Sequence, residues 1–190
     1  MYICEPLSST SSLIMDVKEF FELSAGKWFS QKTSHHLTLK QSEHGKSDLV
    51  INILPSEDPQ IIQLCQQVSI DPQLMGVGAK YTWKATRQWD VQPQNTVNQQ
   101  GVAIAILIPD TPKSSTGKLI RSIDTTADPA VIRYTLGDDH ALTLVTADEH
   151  QRTEERVWFE SNNVRLRTTI ITRSSGDAIA SFYSEIRMGG

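Results

Sequence analysis

Alternating apolar and polar residues run through most of the chain from Gly76 onward. This period of two predicts β-strands with one buried face, because successive side chains of a strand point to opposite sides of the sheet. Turn-forming sequences such as Gly137-Asp138-Asp139 and Ser161-Asn162-Asn163 separate the alternating segments. The strands predicted in this way are 79–89, 101–108, 118–124, 131–136, 141–147, 152–160, 164–173 and 178–187.

The residues before Gly76 predict two more strands and two short helices. The strands are residues 29–40 and 48–54, and the sequence Glu43-His44-Gly45-Lys46 predicts a turn between them. One helix runs from the N-cap Asp16 to Leu23, and the other begins at Asp58-Pro59.

The first strand opens with Gly26-x-Trp28, a short motif found in lipocalin and fatty-acid-binding-protein barrels, where the tryptophan closes one end. About ten strands in up-and-down order can close into a barrel without exposed edges. We therefore predict a mostly β fold: a ten-stranded antiparallel up-and-down barrel of the lipocalin type, with two short helices.

Length and composition narrow the class of protein. The 190 residues suggest one barrel domain over residues 15–190, preceded by a serine-rich extension at residues 1–14. The net charge of −4 argues against nucleic-acid binding, and no apolar run is long enough for a membrane span. Cys4 and Cys65 lack partners in a motif, so we expect free thiols in a reducing cytoplasm.

The strand 79–89 has one face that is unusual for a small barrel. Tyr81, Trp83, Arg87 and Trp89 share this face, while the other carries lysine, threonine and glutamine and faces solvent. An inward face of this kind suits a large, flat, partly polar ligand. Aromatic core packing with Arg87 at the rim is the competing interpretation, and periodicity alone favours it.

The strands 152–160 and 164–173 also carry charge on one face. Glu155 shares its face with apolar residues and is therefore the inward carboxylate, which either pairs with an arginine or stays protonated. Arg165, Arg167 and Thr169 share a face of the next strand. Burial alone would place the opposite, aliphatic face inside and these arginines in water, whereas an anionic ligand would justify them in a cavity.

Several catalytic chemistries lack support in the sequence. The histidines do not have the spacing of metal ligands, and adjacent His35 and His36 point to opposite faces of a strand. A GxSxG sequence, a glycine-rich phosphate loop and a cysteine with an evident histidine base are all missing. We expect no metal.

The chain from about Met15 to Met188 resembles the S-type phycobiliprotein lyases of the CpcS/CpeS family. The blocks that carry the resemblance are SAGKWFSQKTSHHL, QLCQQ, YTWKATRQWD, DHALTLVTADE, EERVWFESNNVRLRTTI and SFYSEIRM. Members of that family have a ten-stranded lipocalin-like barrel. They bind a linear tetrapyrrole, or bilin, and attach it to a cysteine of an apo-phycobiliprotein subunit.

The resemblance implies roles for particular residues. Glu155 matches the pocket glutamate of the family, expected to hold or protonate the bilin, and Arg165 and Arg167 match the arginines expected to pair with its propionates. Lys32 stands where the family usually has arginine, and Thr169 where it has serine. Together with the inward face of 79–89, the expected ligand-binding residues are Lys32, Tyr81, Trp83, Arg87, Trp89, Arg165, Arg167 and Thr169.

The expected activity is therefore a chromophore lyase that uses phycocyanobilin or a similar bilin as substrate and needs no cofactor. Its expected partners are the α and β subunits of apo-phycobiliproteins, and a homodimer or a heterodimer with a related lyase is compatible with the sequence. Two alternatives remain open at this point: a non-enzymatic carrier of fatty acids or other carboxylates, and a subunit that is active only with a related lyase.

Overall fold

The computed structural model describes residues 15–89, 92–124 and 128–189, without the side chains of residues 89 and 92–95. Ten antiparallel strands of this part of the chain form a closed barrel, in which each strand pairs with its sequence neighbours and the last pairs with the first. The predicted ten-stranded up-and-down barrel is confirmed. None of the described helices is long and apolar enough to cross a membrane. The predicted extension at residues 1–14 lies outside the described residues.

The helices are α1 (Val17–Ser24) and α2 (Pro59–Gln67), followed by a 3-10 turn at Pro72–Leu74. The strands are β1 (Gly26–His36), β2 (Gln41–Leu54), β3 (Val77–Trp89), β4 (Gln92–Pro109), β5 (Thr116–Ile123), β6 (Ala130–Leu136), β7 (Leu142–Ala147), β8 (Gln151–Ser161), β9 (Val164–Arg173) and β10 (Ala178–Arg187).

Helix α1 closes one end of the barrel. A capping box between Asp16 and Glu19 begins it, since each side chain accepts a hydrogen bond from the other residue's backbone N–H. Phe20 and Phe21 then pack on the apolar residues inside the barrel. Helix α2 lies outside instead, where Ile61, Leu64 and Cys65 pack on outward residues of β4 and β5. The interior therefore has an apolar floor at the α1 end.

Trp28 and Arg187 fix the chain where α1 leads into β1. Trp28 is almost fully buried, and its indole Nε1 donates to the carbonyl of Ser24 at 2.9 Å. The Arg187 guanidinium lies 4.2 Å from the Trp28 ring centre and donates to the carbonyls of Leu23 and Ala25. Gly26 has φ +125°, and a Cβ there would lie 2.7 Å from Arg187 Nη1. This position therefore requires glycine.

The predicted turn at residues 43–46 is wrong. The chain reverses at residues 37–40, where Lys40 has φ +51°, and β2 already includes residues 43–46. Gly45 lies within the strand opposite Lys32, where a Cβ would come within 3.1 Å of the carbonyl oxygen of Thr86. Its glycine thus serves a close approach between strands. As a result Glu43 points into the barrel and is buried.

Candidate functional site

A cavity of about 340 Å³ lies inside the barrel above the α1 floor. The aromatic residues Tyr81 and Trp83 line it on β3, the small residue Ala103 lines it on β4, and charged residues line it on β5, β8 and β9. The predicted residues that line it are Tyr81, Trp83, Glu155, Arg165 and Arg167. Burial of the arginine face excludes the alternative in which the aliphatic face of β9 points inward: Arg165 is 6% exposed, whereas Ile170 is 51% exposed.

A larger groove of about 510 Å³ crosses the outside of β2, β3 and β4. Its lining includes solvent-facing lysines and amides, such as Lys46, Lys84 and Gln100. Aromatic rings and buried charged groups converge instead on the interior cavity, and such convergence is what a small-molecule site requires. The interior cavity is therefore the candidate site.

Glu185 is the carboxylate at the centre of the charged wall. Its side chain is fully buried and accepts from Arg165 Nε at 2.6 Å, from Arg167 Nη2 at 3.0 Å and from Ser30 Oγ at 3.3 Å. Burial alone would raise the pKa of Glu185, but the guanidiniums of Arg167 and Arg165 outweigh it and lower the pKa below its ordinary value. The two arginines thus have a counter-ion that the sequence prediction missed.

Glu155 contacts Arg167 through the guanidinium nitrogen that Glu185 does not use. Its Oε2 lies 3.4 Å from Arg167 Nη1, a longer contact than either arginine makes with Glu185. The side chain of Glu155 is 21% exposed and lines the cavity, whereas that of Glu185 is sealed from it by the arginines. The sequence left open whether Glu155 pairs with an arginine or stays protonated, and the structure shows the pair with Arg167. Glu155 is also the carboxylate that a ligand can reach.

Lys32 and Arg87 belong to a second cluster, and the structure does not place them in the lining of the cavity. Both turn towards buried Glu43, whose carboxylate oxygens lie 3.1 Å from Lys32 Nζ and 3.6 Å from Arg87 Nε. Tyr183 lies between the two clusters, because its ring is 5.8 Å from Lys32 Nζ and 3.8 Å from Arg167 Cζ. Both cations therefore lie over the ring of Tyr183, within the range of a cation–π interaction.

Trp83 owes its position to a glycine on the neighbouring strand. It pairs in register with Gly101 of β4, and a Cβ at that residue would lie 2.3 Å from Cζ2 of the indole. The ring therefore lies directly on the backbone of β4, a contact that any side chain at residue 101 would prevent. Gly101, Ala103 and Ala105 alternate along β4, so no long side chain projects from this stretch of the wall into the barrel.

We expect Gly101→Ala to displace the Trp83 ring and to lower the free energy of unfolding by about 1–3 kcal/mol, as overpacked sites do. Denaturant unfolding measures the loss, and near-ultraviolet circular dichroism reports the tryptophan environment. The matched control is the same substitution in a Trp83→Leu background. An equal loss in that background would show that the added methyl group acts on something other than the indole.

Thr169 and Trp89 are the two predicted ligand-binding residues still to be placed. Thr169 is buried and pairs in register with Glu155, but it is not among the residues that line the cavity. The side chain of Trp89 lies outside the described residues. The residues missed by the sequence prediction are Glu43, Arg121, Tyr183 and Glu185. Ser181, Tyr183 and Glu185 do alternate with Phe182 and Ile186, but this alternation did not show which of the two faces points inward.

Comparison with known proteins gives consistent matches over nearly the whole chain. Residues 16–188 match the family model described as CpeS-like protein. A relative from Thermosynechococcus vestitus named chromophore lyase CpcS/CpeS is 45% identical, over 92% of this chain and 94% of its own. A relative from Picosynechococcus named phycocyanobilin lyase subunit CpcS is 36% identical, over 91% of this chain and 86% of its own.

A solved structure also matches. The S-type phycobiliprotein lyase CPES from Guillardia theta superimposes with a TM-score of 0.78 and is 29% identical, over 93% of this chain and 94% of that chain.

Proposed function

Because the chain belongs to the CpeS-like family, we propose that it is a phycobiliprotein chromophore lyase that binds a phycocyanobilin-type bilin inside the barrel. The bilin is a substrate, and the reaction attaches it to a cysteine of an apo-phycobiliprotein α or β subunit in the cytoplasm. The observation that carries this proposal is the interior cavity, where the Trp83 indole faces the wall formed by Glu155, Arg165 and Arg167.

The lining suits both the aromatic rings and the polar N–H groups of such a ligand. A linear tetrapyrrole is flat and conjugated, so its rings can stack on Trp83 and Tyr81. Its pyrrole N–H groups can donate to the Glu155 carboxylate, which the cavity exposes. Glu185 stays sealed and holds the arginines in place. The protein would thereby fix one conformation of a flexible and reactive molecule.

The nucleophile in this proposal comes from the acceptor. No cysteine is among the residues that line the described cavity, and Cys65 lies on α2, whose apolar face packs on the outside of the barrel. Burial raises the pKa of the Cys65 thiol, with a further contribution from Asp71, so this thiol is a poor nucleophile. The acceptor's cysteine sulfur would form the new C–S bond to the bilin ethylidene. The alkene π electrons would take a proton at the neighbouring carbon, and the thiol would lose one, so the addition balances.

The direct test mixes the purified chain with phycocyanobilin and then with an apo-phycobiliprotein subunit. We expect the visible band of the bilin to sharpen and shift to the red on binding, and the covalent adduct to form faster than without the chain. Adduct formation no faster than the spontaneous reaction would contradict the lyase activity. Binding without transfer until a related chain is added would instead identify a lyase subunit, as the name of the Picosynechococcus relative describes that protein.

In this proposal the arginine-paired carboxylate of Glu155 carries the proton from the acceptor's thiol to the bilin carbon, and Glu155→Gln tests this role. We expect the transfer rate to fall about a hundredfold, the lower range for loss of a general acid or base, while the affinity for the bilin changes much less. Single-turnover transfer and a spectroscopic titration measure the two quantities. Glu160→Gln, on the exposed face of the same strand, is the matched control. A transfer rate equal to that of the unaltered chain would remove the proton role from Glu155.

A further inference from the structure

Arg121 lines the cavity, although no role was predicted for it from the sequence. It lies on the inward face of β5 between buried Leu119 and the partly exposed Ile123, and all three line the cavity. Its register partners are Ala105 on β4 and Ala130 on β6. Small residues on both sides leave the long side chain room to reach into the cavity.

Arg121 differs from the other two arginines of the cavity because no carboxylate in the described part of the chain neutralises its charge. Arg165 is neutralised by Glu185, and Arg167 by Glu155 and Glu185, within 3.4 Å in each case. Arg121 forms no ion pair with a carboxylate of the described residues, and its buried Nε has no hydrogen-bond partner there. A buried polar group without a partner is costly, and a buried charge more so.

Tyr81 does not supply the missing negative charge. Burial raises the pKa of this phenol to about 12, although Arg165 and Arg121 act in the opposite direction. The phenol is therefore neutral at physiological pH. Within the described part of the barrel, the structure gives Arg121 no stabilising anion, and the guanidinium is left available to a ligand.

We propose that Arg121 binds a propionate carboxylate of the bilin and is the residue that provides the cavity with its unpaired positive charge. The inference rests on the proposed function. It shifts the propionate contact from Arg165 and Arg167, which the resemblance implied, to an arginine on the opposite wall whose charge is not already used. A guanidinium matches a carboxylate with two parallel hydrogen bonds, so this contact would also fix which way the pigment enters.

The test compares phycocyanobilin with its dimethyl ester, which lacks the carboxylate charge. We expect the unaltered chain to bind the free acid about tenfold to a hundredfold more tightly than the ester, as hydrogen bonds to charged groups allow. In Arg121→Gln this preference should shrink by about tenfold or more, through weaker binding of the acid and little change for the ester. Arg121→Lys should keep part of the preference, because it keeps the charge without the planar fork.

Lys118→Gln is the matched control, since Lys118 lies on the outward face of the same strand and should leave the acid preference unchanged. Without bilin, Arg121→Gln should melt at the same or a higher temperature, because it removes a partly buried charge whose Nε has no partner among the described residues. A full acid preference in Arg121→Gln, or equal weakening of acid and ester, would overturn the role of Arg121 and leave the proposed function standing. Failure of the unaltered chain to bind either molecule would overturn both.

Discussion

Glu185→Gln is expected to destabilise the protein by about 3–5 kcal/mol, the range for removing one partner of a buried ion pair. The substitution leaves the shape of the side chain but removes the charge that Arg165 and Arg167 share. Arg165 is almost completely buried, so water cannot replace the lost carboxylate. The measurement is the free energy of unfolding in urea, followed by circular dichroism.

Glu154→Gln is the matched control, because Glu154 pairs with Arg152 on the outer surface where both side chains are exposed. Exposed pairs contribute about 0–1 kcal/mol, so this variant should remain close to the unaltered chain. Adding Arg165→Gln to Glu185→Gln should restore part of the lost stability, since it removes the one arginine left without a carboxylate partner, whereas Arg167 keeps its contact with Glu155. Equal losses for Glu185→Gln and Glu154→Gln would contradict the account of the charged wall.

The contribution of Glu185 should also depend on pH. Its pKa in the folded protein is lowered from the ordinary value of 4.5, because the arginines outweigh the effect of burial. The ionised form therefore stabilises the fold above the ordinary pKa, and this contribution is lost as the pH falls through the lower, folded-state pKa. The difference in stability between the unaltered chain and Glu185→Gln should be constant near neutral pH and shrink below about 4.5.

The barrel could be predicted from the sequence because its strands alternate clearly and its turns carry glycine, asparagine and aspartate. The same alternation was enough to place Tyr81, Trp83 and Glu155 on inward faces. Alternation could not decide which face of β9 points into the barrel, because one face is aliphatic and the other is charged. There the resemblance to bilin lyases favoured the charged interior, and burial of Arg165 agrees with it.

Glu185 could not be predicted because the usual hydrophobic pattern is inverted on β10. Phe182 and Ile186 face outward and are about half exposed, while Glu185 faces inward. A rule that buries apolar residues places the carboxylate in solvent. Glu43 was missed for a different reason, because Gly45 suggested a turn where the chain needs a close approach to β3. Which carboxylate pairs with which arginine depends on distances across the barrel, and no local pattern encodes them.

Ala103→Trp is expected to weaken bilin binding by about a hundredfold or more, because its side chain would occupy the space assigned to the pigment. Ala103 is 3% exposed and lines the cavity, next in register to Tyr81 on β3 and Ile123 on β5. A large side chain there projects into open volume, so the overpacking penalty should stay within a few kcal/mol and the barrel should fold.

A phycocyanobilin titration of Ala103→Trp beside Lys84→Trp tests whether the pigment binds inside the barrel, and far-ultraviolet circular dichroism verifies the fold of both variants. Lys84 is exposed on the outer face of β3, so its substitution adds the same indole outside the barrel. We expect Lys84→Trp to bind the bilin like the unaltered chain and folded Ala103→Trp not to bind it at comparable concentrations. Undiminished binding by folded Ala103→Trp would contradict a site inside the barrel.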